Sequence, residues 1–578
     1  MPDEAVQTAQ PAATVKEVKE TKAQRSERLK LAKNPWDAWD EVREFAKQGR
    51  DAVLPEWTGL YFKWWGVYTQ GDGVGATGGV GGEGKATEFF MMRIGLPNGL
   101  LTSHQLRVIG ELTKKYARNL ADITTRQNIQ LHWLTISALV EITDALTDIG
   151  LTPKGACGDV VRNVTGCPLA GLDHHELLDA SPLALEVAHH LTANPEFYNL
   201  PRKFKISITG CPLWCSYPEI NDVALTAIPR GDEVGYALRI GGGLSTEPHM
   251  AVRIPAFIPQ DKALDVITAV VRIFKEQEAL RDNRTRARIK YLFMRHGWTA
   301  ESMLAAIEEK LGYALDASPV IEENIPDDIY RDHIGVTPQR QAGLSAVGAS
   351  VLRGRLSGDQ LIALADLAEK HGHGHLRATI MQNIVLVNIR NENVNQLIAD
   401  LNALDLHVDV SPFWRGAIAC TGTEFCKLAI AETKAFSKWL VTEMEDRLPG
   451  FDQQIKLHVT GCTNSCGQHW IADIGLEGKK LKQNGVITDA FYFCVGGAIG
   501  KHARAGRALG YRASAEDTPA AIERLLRGYL AVRTPGEDLR AYFARTSDED
   551  LRAQLNGLPM AAVERDAPPA GGRHAVDA

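Results

Sequence analysis

The sequence predicts an α/β fold, in the broad sense that includes α+β, built from two fused homologous halves with pseudo-twofold symmetry. Two internal repeats predict the halves. The composition, with 44% hydrophobic and 23% charged residues, is typical of a soluble globular protein. A chain of 578 residues can bury a large core, so its folding does not depend on disulfides.

The first repeat joins two helix–strand–helix units. The segment Thr125-Arg126-Gln127-Asn128-Ile129 follows a helical apolar pattern, and Ile380-Met381-Gln382-Asn383-Ile384 follows an equivalent one at a constant offset (382 − 127 = 255). Alternating apolar residues after each Gln-Asn pair predict a strand. A repeat of this length indicates two similar domains rather than a solenoid of short units.

The second repeat joins two strand–cysteine segments. Lys205–Cys211 (KISITGC) resembles Lys456–Cys462 (KLHVTGC), and in both copies another cysteine follows four residues later. An aspartate then opens an apolar run, Asp222 in the first copy and Asp473 in the second. The two repeats together account for most of the chain.

The repeats and the composition of the chain ends divide the sequence into six predicted parts. These are a disordered N-terminus (1–30), an N-terminal segment with a first small lobe (31–154), a first large lobe (155–335), a second small lobe (336–411), a second large lobe (412–560) and a disordered tail (561–578). The glycine-rich stretch 71–84 contains a G-x-G-x-x-G match, which we interpret as a loop because no strand-then-helix pattern surrounds it.

Four of the nine cysteines form a C-x5-C pair and a C-x3-C pair in the second copy. They are Cys420, Cys426, Cys462 and Cys466. Thiolates are the usual ligands of iron–sulfur clusters, and four of them on two loops suit one cubane. The C-x5-C spacing departs from the pairs of structural zinc sites. An apolar pattern running to Met444 predicts that Cys426 opens a helix, whose N-terminus would stabilise its thiolate.

These motifs carry a family resemblance. The pattern T-G-C-x3-C-x6-D-I-G-L around Cys462 and Cys466, with the upstream pair, resembles the sirohaem and [4Fe–4S] signature of assimilatory nitrite and sulfite reductases. The resemblance implies ferredoxin-like small lobes and large lobes that bind the two cofactors. It implies that the four cysteines hold the cubane and that Cys466 is also the axial ligand of the sirohaem iron. The implied reaction is the six-electron reduction of sulfite to sulfide or of nitrite to ammonia.

The resemblance also implies an anion-binding site in the first copy. Its segments match those that supply the family's active-site cations at Arg93, Arg162, Lys203 and Lys205. Arginine offers a permanent charge and lysine can donate a proton, which a departing oxygen requires. Lys205 favours sulfite, because plant-type nitrite reductases tend to have Asn there, whereas the segment around Cys167 is more like the nitrite branch. Nitrite therefore stays the alternative substrate.

The resemblance further implies contacts to the carboxylate rim of sirohaem from Arg126, Gln130 and His132. The positions equivalent to these three in the second copy are apolar, which fits one cofactor shared by two halves. Tyr68 and Cys157 resemble a Tyr and a Cys that some bacterial members join covalently beside the haem. We state that crosslink as a hypothesis.

Four further cysteines receive no function from the sequence. Cys167, Cys211 and Cys215 lie in the first copy, where the upstream spacing is C-x9-C, and Cys494 stands alone. We interpret Cys211 and Cys215 as inert, since a buried free cysteine is a common small hydrophobe. A second cluster in this copy is the alternative.

Reduced ferredoxin is the electron donor that the resemblance implies, and no flavin or nicotinamide motif offers another. The net charge is −7, so docking an acidic ferredoxin requires a local basic patch. The run Arg281–Lys290 is a candidate for that patch, and the alternative is that it forms a solvated or interdomain helix face. We expect a cytoplasmic monomer that binds neither nucleic acid nor membrane. The alternatives are a non-catalytic iron–sulfur carrier, which leaves the cations unexplained, and a sirohaem-family oxygenase of corrin synthesis.

Overall fold

The computed structural model describes residues 20–70, 89–213, 215–318, 331–483 and 485–558. The first half contains β1 (Val67–Thr69), β2 (Phe90–Ile94), β3 (Leu100–Thr102), β4 (Ala121–Ile123), β5 (Ile129–Leu134), β6 (Val161–Thr165), β7 (Phe204–Thr209), β8 (Val223–Arg230), β9 (Glu233–Ile240), β10 (Val252–Ile258) and β11 (Asp316–Ala317). The second half contains β12 (Gly335–Pro338), β13 (Leu344–Ala349), β14 (Arg355–Leu356), β15 (His375–Ala378), β16 (Ile384–Arg390), β17 (Ala417–Ala419), β18 (Leu457–Thr460), β19 (Ile474–Gln483), β20 (Val486–Val495) and β21 (Arg507–Ser514).

The helices follow the same division. Those of the first half are α1 (Lys22–Ala32), α2 (Trp39–Gln48), α3 (Pro55–Gly59), α4 (Ser103–Tyr116), α5 (Ile136–Asp148), α6 (Ser181–Leu191), α7 (Ala263–Lys275), α8 (Lys290–Arg295) and α9 (Ala300–Leu311). Those of the second half are α10 (Gly358–His371), α11 (Val394–Ala403), α12 (Pro412–Arg415), α13 (Lys434–Arg447), α14 (Thr518–Val532), α15 (Leu539–Arg545) and α16 (Asp548–Leu555). The mixture of helices and sheets in two similar halves confirms the predicted fold class. No helix in the described ranges is long and apolar enough to cross a membrane.

The two small lobes exchange strands. The sheet of the first lobe has the order β1-β2-β5-β4-β14, and its last strand comes from the second half. The sheet of the second lobe has the order β12-β13-β16-β15-β3, and its last strand comes from the first half. Each sheet is therefore completed by the other half, and one hydrophobic core runs through both lobes.

The repeated Gln-Asn pairs hold this exchange together. The amide of Gln127 donates to the Ala378 carbonyl oxygen (2.9 Å), and the amide of Gln382 donates to the Ile123 carbonyl oxygen (3.0 Å). Both glutamines are buried and have positive φ. Each acceptor lies in the opposite lobe, so the repeated motif is the joint between the halves.

The two large lobes share a second pattern. Their sheets have the orders β11-β10-β9-β8-β7-β6 and β17-β18-β19-β20-β21, with three parallel strands next to antiparallel ones in each. Asp222 accepts a hydrogen bond from the backbone N–H of Lys205 at 2.7 Å, and Asp473 accepts the equivalent bond from Lys456 at 2.7 Å. The repeated aspartate therefore fastens the start of the strand that leads to each C-x3-C pair.

The N-terminal segment departs from its prediction. Residues 1–19 and 559–578 lie outside the described ranges, but 22–30 belong to α1 and are not disordered. A Thr21–Gln24 capping box begins this helix. Lys30 on the helix is fully buried, donates to the Leu200 carbonyl oxygen and lies 3.6 Å from Asp159. A long-range ion pair with the first large lobe thus orders a segment whose composition is polar.

Candidate active site between the two halves

The four cysteines of the second half meet at one edge of its large sheet. Cys420 follows β17 and Cys462 follows β18, and these neighbouring strands are parallel, so their ends lie side by side. Cys462 is buried, Cys420 and Cys426 are half-buried, and Cys466 is exposed. The Cys466 sulfur therefore stands between the enclosed cysteines and open space.

The loops supply hydrogen bonds to these sulfurs. The Gly461 N–H donates to Cys420 Sγ at 3.1 Å, and the backbone N–H groups of Leu428 and Ala429 donate to Cys426. Burial, with nearby Cys466 as a further cause, raises the pKa of the Cys426 thiol to about 12. Thiolates here require a cation to balance them, and a [4Fe–4S] cluster fits this set of donors.

Glycines allow the chain to close around the cysteines. A side chain at Gly467 would lie 2.3 Å from the Val459 carbonyl oxygen, and one at Gly461 would lie 2.9 Å from that of Ala431. The predicted helix at Cys426 is wrong. The helix begins only at Lys434, because the Ile430 and Ala431 N–H groups bond to the Gly461 carbonyl oxygen instead (2.7 and 3.3 Å).

The two arginines predicted for the anion site lie on different strands of the first half, Arg93 on β2 and Arg162 on β6. Arg93 donates to Gln130 Oε1 at 2.6 and 3.0 Å and to Cys157 Sγ at 3.1 Å. Arg162 donates to the Gly158 carbonyl oxygen at 2.7 and 2.9 Å. These bonds fix the planes of both guanidinium groups, and neither group is neutralised by a carboxylate in the described part of the chain.

The two predicted lysines lie beside them. Lys205 is in β7 and Lys203 directly precedes that strand, so their side chains share one face. Burial, together with the charges of Arg202 and Arg288, lowers the pKa of Lys203 to about 7, whereas Cys466 opposes that effect. Burial and Arg126 lower the pKa of Lys205 well below its usual value. Neither ammonium forms a salt bridge with any described residue.

The exposed cysteine of the second half and the cations of the first half face each other. Cys466 lies near enough to Arg93 and Lys203 to favour a higher pKa for both. The Thr125 hydroxyl donates to the Cys466 carbonyl oxygen at 3.3 Å, which fixes the two halves relative to each other at this point. The site therefore lies between the halves, with sulfur on one side and cations on the other.

Buried aspartates behind the cations were not predicted. Arg288 donates to Asp222 through two bonds of 2.7 Å, and Arg284 donates to Asp159 at 2.7 Å. The side chain of Arg288 is only 7% exposed. Within the predicted docking run Arg281–Lys290, Arg288 and Lys290 are buried and Arg286 is exposed, so only part of the run is open to a partner.

The three residues predicted at the sirohaem rim differ from one another in location and in hydrogen-bond partners. Arg126 lies in the turn before β5 rather than on the strand, and it donates to Asn221 and to two backbone carbonyls, while its Nε is buried without a partner in the described chain. Gln130 binds Arg93. His132 is fully buried and both ring nitrogens have partners, Asp122 and Gln70 (3.1 Å each), so it faces the protein interior.

Tyr68 and Cys157 lie side by side. A hydrogen bond joins the phenol of Tyr68 to the thiol of Cys157, and burial raises the pKa of that phenol. Cys157 is buried and also accepts the bond from Arg93. Tyr68 and Cys157, which the family resemblance pairs, are thus in direct contact next to Arg93.

Comparison with known families gives a consistent result. A model described as the nitrite and sulphite reductase 4Fe-4S domain matches residues 157–315 and 412–560. A model described as the nitrite/sulfite reductase ferredoxin-like half domain matches residues 82–149 and 337–404. Both families match twice, in agreement with the repeat.

Individual proteins of known name are similar over nearly the whole chain. Sulfite reductase [ferredoxin] 1 of Mycolicibacterium paratuberculosis is 35% identical over 523 residues, covering 88% of this chain and 92% of the relative. The assimilatory ferredoxin-dependent nitrite reductase of Haloferax mediterranei is 35% identical, covering 87% and 88%. The solved structure of the Mycobacterium tuberculosis NirA protein has a TM-score of 0.86 at 35% identity, covering 91% and 97%.

Proposed function

The chain belongs to the nitrite and sulfite reductase family, and on that premise we propose that the cations of its first half bind and protonate the oxyanion substrate. It is a ferredoxin-dependent oxidoreductase that reduces sulfite or nitrite, and its cofactors are sirohaem and one [4Fe–4S] cluster. The observation that carries the proposal is the position of Arg93, Arg162, Lys203 and Lys205 opposite Cys466. A non-catalytic electron carrier has no use for such a set.

The residues of the second half fit the metal cofactors. Cys420, Cys426, Cys462 and Cys466 would hold the cluster, and Cys466, the exposed member, would also bind the sirohaem iron. When bound, the two groups supply single electrons and the metal at which the anion is reduced. Arg126 and Gln130 would border the macrocycle, while His132 would act indirectly, through the position of its strand.

The residues of the first half hold the anion and move protons. Arg93 and Arg162 present fixed guanidinium groups that can each donate two bonds to oxygen. Lys203, with a pKa of about 7, both carries and releases a proton near neutral pH, as a general acid requires. Lys205 lies two residues further along the same face and adds charge beside the leaving oxygen.

We propose sulfite as the physiological substrate. Sulfite approaches a double negative charge near neutral pH whereas nitrite carries one. Two arginines and two lysines, none of them in a salt bridge with a described residue, complement the larger charge better. Lys205 is the fourth cation, which the plant-type nitrite enzymes tend to lack. Nitrite is the second candidate, because a relative named as a nitrite reductase is as similar as one named as a sulfite reductase.

The experiment is steady-state kinetics of the holoenzyme on both anions with reduced ferredoxin, for the wild type and for Lys205→Asn. We expect kcat/KM to favour sulfite at least about tenfold in the wild type, equivalent to about 1.4 kcal/mol, and Lys205→Asn to lower that ratio. A ratio that favours nitrite, or one unchanged by Lys205→Asn, would overturn the substrate assignment. A holoenzyme whose spectrum contains a cluster but no haem band would overturn the function itself.

A further inference from the structure

The first half contains a second group of cysteines, whose surroundings differ from those of the proposed active site. Cys167 follows β6, and Cys211 and Cys215 follow β7. All three are buried and lie in a small hydrophobic core where the lobes meet. The interpretation of Cys211 and Cys215 as inert does not account for what surrounds them.

The structure brings a histidine that lies just before β12 to these cysteines. Cys167 Sγ, Cys215 Sγ and a ring nitrogen of His333 all lie within 4.8 Å of one another. Cys211 is a neighbour of both other cysteines and interacts with each, but its sulfur does not lie within 4.8 Å of all three of these atoms. In a tetrahedral zinc site with Zn–S bonds of about 2.3 Å, ligand atoms are separated by about 3.8 Å. Cys167, Cys215 and His333 are thus close to the spacing that a single ion requires, and Cys211 is the neighbouring candidate for the fourth ligand.

The histidine is held in place without a partner of its own. His333 Nε2 is buried and accepts or donates no hydrogen bond among the described residues. The residue has φ of 60°, a conformation that is costly for a non-glycine residue. Its carbonyl oxygen would lie 1.6 Å from a side chain at Gly348, so a glycine is required there. The backbone is therefore shaped to bring this imidazole to the cysteines.

Backbone donors lie next to two of the sulfurs, although the neighbouring Cys211 and burial raise the pKa of the Cys167 and Cys215 thiols. The Leu169 N–H donates to Cys167 Sγ at 3.4 Å, and the Leu213 N–H donates to Cys211. The charge of Arg331 also acts on Cys211, although Arg331 is paired with Asp173 at 2.6 Å. Backbone donors and a nearby cation reduce the cost of negative sulfur, as in the cysteine loops of the second half.

The repeat gives each cysteine a counterpart. Cys211 and Cys215 correspond to Cys462 and Cys466, and Cys167, which follows the neighbouring parallel strand, corresponds in position to Cys420. Cys426 has no cysteine counterpart. Among the described residues, the set within 4.8 Å of one another is Cys167, Cys215 and His333, and the second-half cysteines form no such set. The first-half set therefore contains a histidine nitrogen where the second-half set has only sulfurs.

We propose that Cys167, Cys211, Cys215 and His333 bind one zinc ion in a tetrahedral structural site. On binding, the cysteines coordinate as thiolates, any thiol protons pass to solvent, and no redox change occurs. Three ligands come from the first large lobe, while His333 lies two residues before β12. The ion would therefore fasten the start of the second half to the first half, independently of the active site.

The test is metal analysis and zinc K-edge absorption of the full-length holoenzyme, a measurement to which the irons do not contribute. We expect about one zinc per chain with three sulfur neighbours near 2.3 Å and one nitrogen near 2.0 Å. Cys215→Ser and His333→Gln should lose zinc and lower Tm, while their haem and cluster absorption stays. The matched control Cys494→Ser, at a buried cysteine outside the group, should keep its zinc.

Three results would overturn the proposal. The first is wild-type holoenzyme with zinc far below one per chain, or zinc that Cys215→Ser leaves unchanged. The second is iron beyond that of one cubane and one sirohaem, lost in Cys215→Ser, which would indicate a cluster instead. The third is a disulfide between Cys167 and Cys215 in the native protein. The zinc content and the zinc K-edge spectrum of the wild type test the proposal even where a variant fails to fold.

Discussion

The two halves share a backbone plan but not a chemistry. The groups that bind the backbone are the same in both: Gln127 and Gln382 each bond to a carbonyl oxygen of the opposite lobe, and Asp222 and Asp473 each receive a strand N–H. The groups that face the site differ, with cations in the first half and thiolates in the second. Side chains that hold the backbone are fixed by the fold, whereas those that face open space are free to diverge.

Substitution of equivalent cysteines in the two halves should produce the largest difference between them. Cys462→Ser removes a proposed cluster ligand, and we expect activity below about one thousandth of wild type, a barrier increase of more than about 4 kcal/mol. Cys211→Ser, at the equivalent position, should retain the cluster absorption and most of the activity below its melting temperature. Equal loss of the cluster in both variants would mean that the halves have not diverged as described.

The repeated aspartates test stability. Asp222→Asn leaves the buried Arg288 guanidinium without its carboxylate, which should lower the free energy of unfolding by about 3–5 kcal/mol. Asp473→Asn should lower the free energy of unfolding by less. Its partner Lys456 Nζ is 3.8 Å from the carboxylate, and burial raises the pKa of Asp473, which favours its neutral form. Denaturant unfolding of both variants provides the comparison. A larger loss in Asp473→Asn would contradict it.

The lysines test the electrostatic difference. We expect Lys203→Gln to lower kcat about 100-fold, and Lys456→Gln, in the equivalent region of the second half, to leave kcat within about twofold. Because the pKa of Lys203 is about 7, its charge is present below that pH and is lost as pH rises through it. The kcat/KM of the wild type should therefore fall above about pH 7. Lys203→Arg, which keeps its charge, should shift that decline to higher pH, and an unshifted profile would assign the decline to another group.

The glutamines of the two Gln-Asn pairs test whether the halves depend equally on the bonds between the small lobes. Gln127→Ala and Gln382→Ala each leave buried backbone groups of the other half unpaired, and each should cost about 1–3 kcal/mol of unfolding free energy. The two losses should agree within about 1 kcal/mol. A clear inequality, measured by denaturant unfolding, would show that one lobe depends on the exchange more than the other.

The smallest effect concerns a pair that the second half lacks. If Tyr68 and Cys157 are joined, the intact protein should weigh about 2 Da less than its sequence predicts, because bond formation removes two hydrogens. Tyr68→Phe should have its full calculated mass. A wild-type mass equal to the calculated value after mild reduction would exclude the crosslink, although the contact itself would remain.

The sequence allowed prediction of features that depend on local pattern. The duplicated fold, the Gln-Asn pairs and the four cysteines all leave a repeat or a spacing. Features set by distant contacts could not be predicted. Arg288 pairs with a carboxylate 66 positions away in the chain. Its own run of charges contains no sign of that partner, and the run therefore suggested an exposed surface. His333 stands apart from the cysteines in the sequence and belongs to no motif. The helix predicted at Cys426 does not form because the Ile430 and Ala431 N–H groups bond to Gly461.

The exchange of β3 and β14 has a consequence for synthesis of the protein. The sheet of the first small lobe stays incomplete at β4 until Arg355–Leu356 leaves the ribosome, 221 residues after Leu134 (355 − 134). At about 5–20 residues per second, this strand edge is unpaired for roughly 11–44 s in every nascent chain. An open edge is a template for wrong pairing. Polysomes translating this message therefore hold neighbouring chains with the same exposed edge, and a stalled ribosome prolongs that exposure.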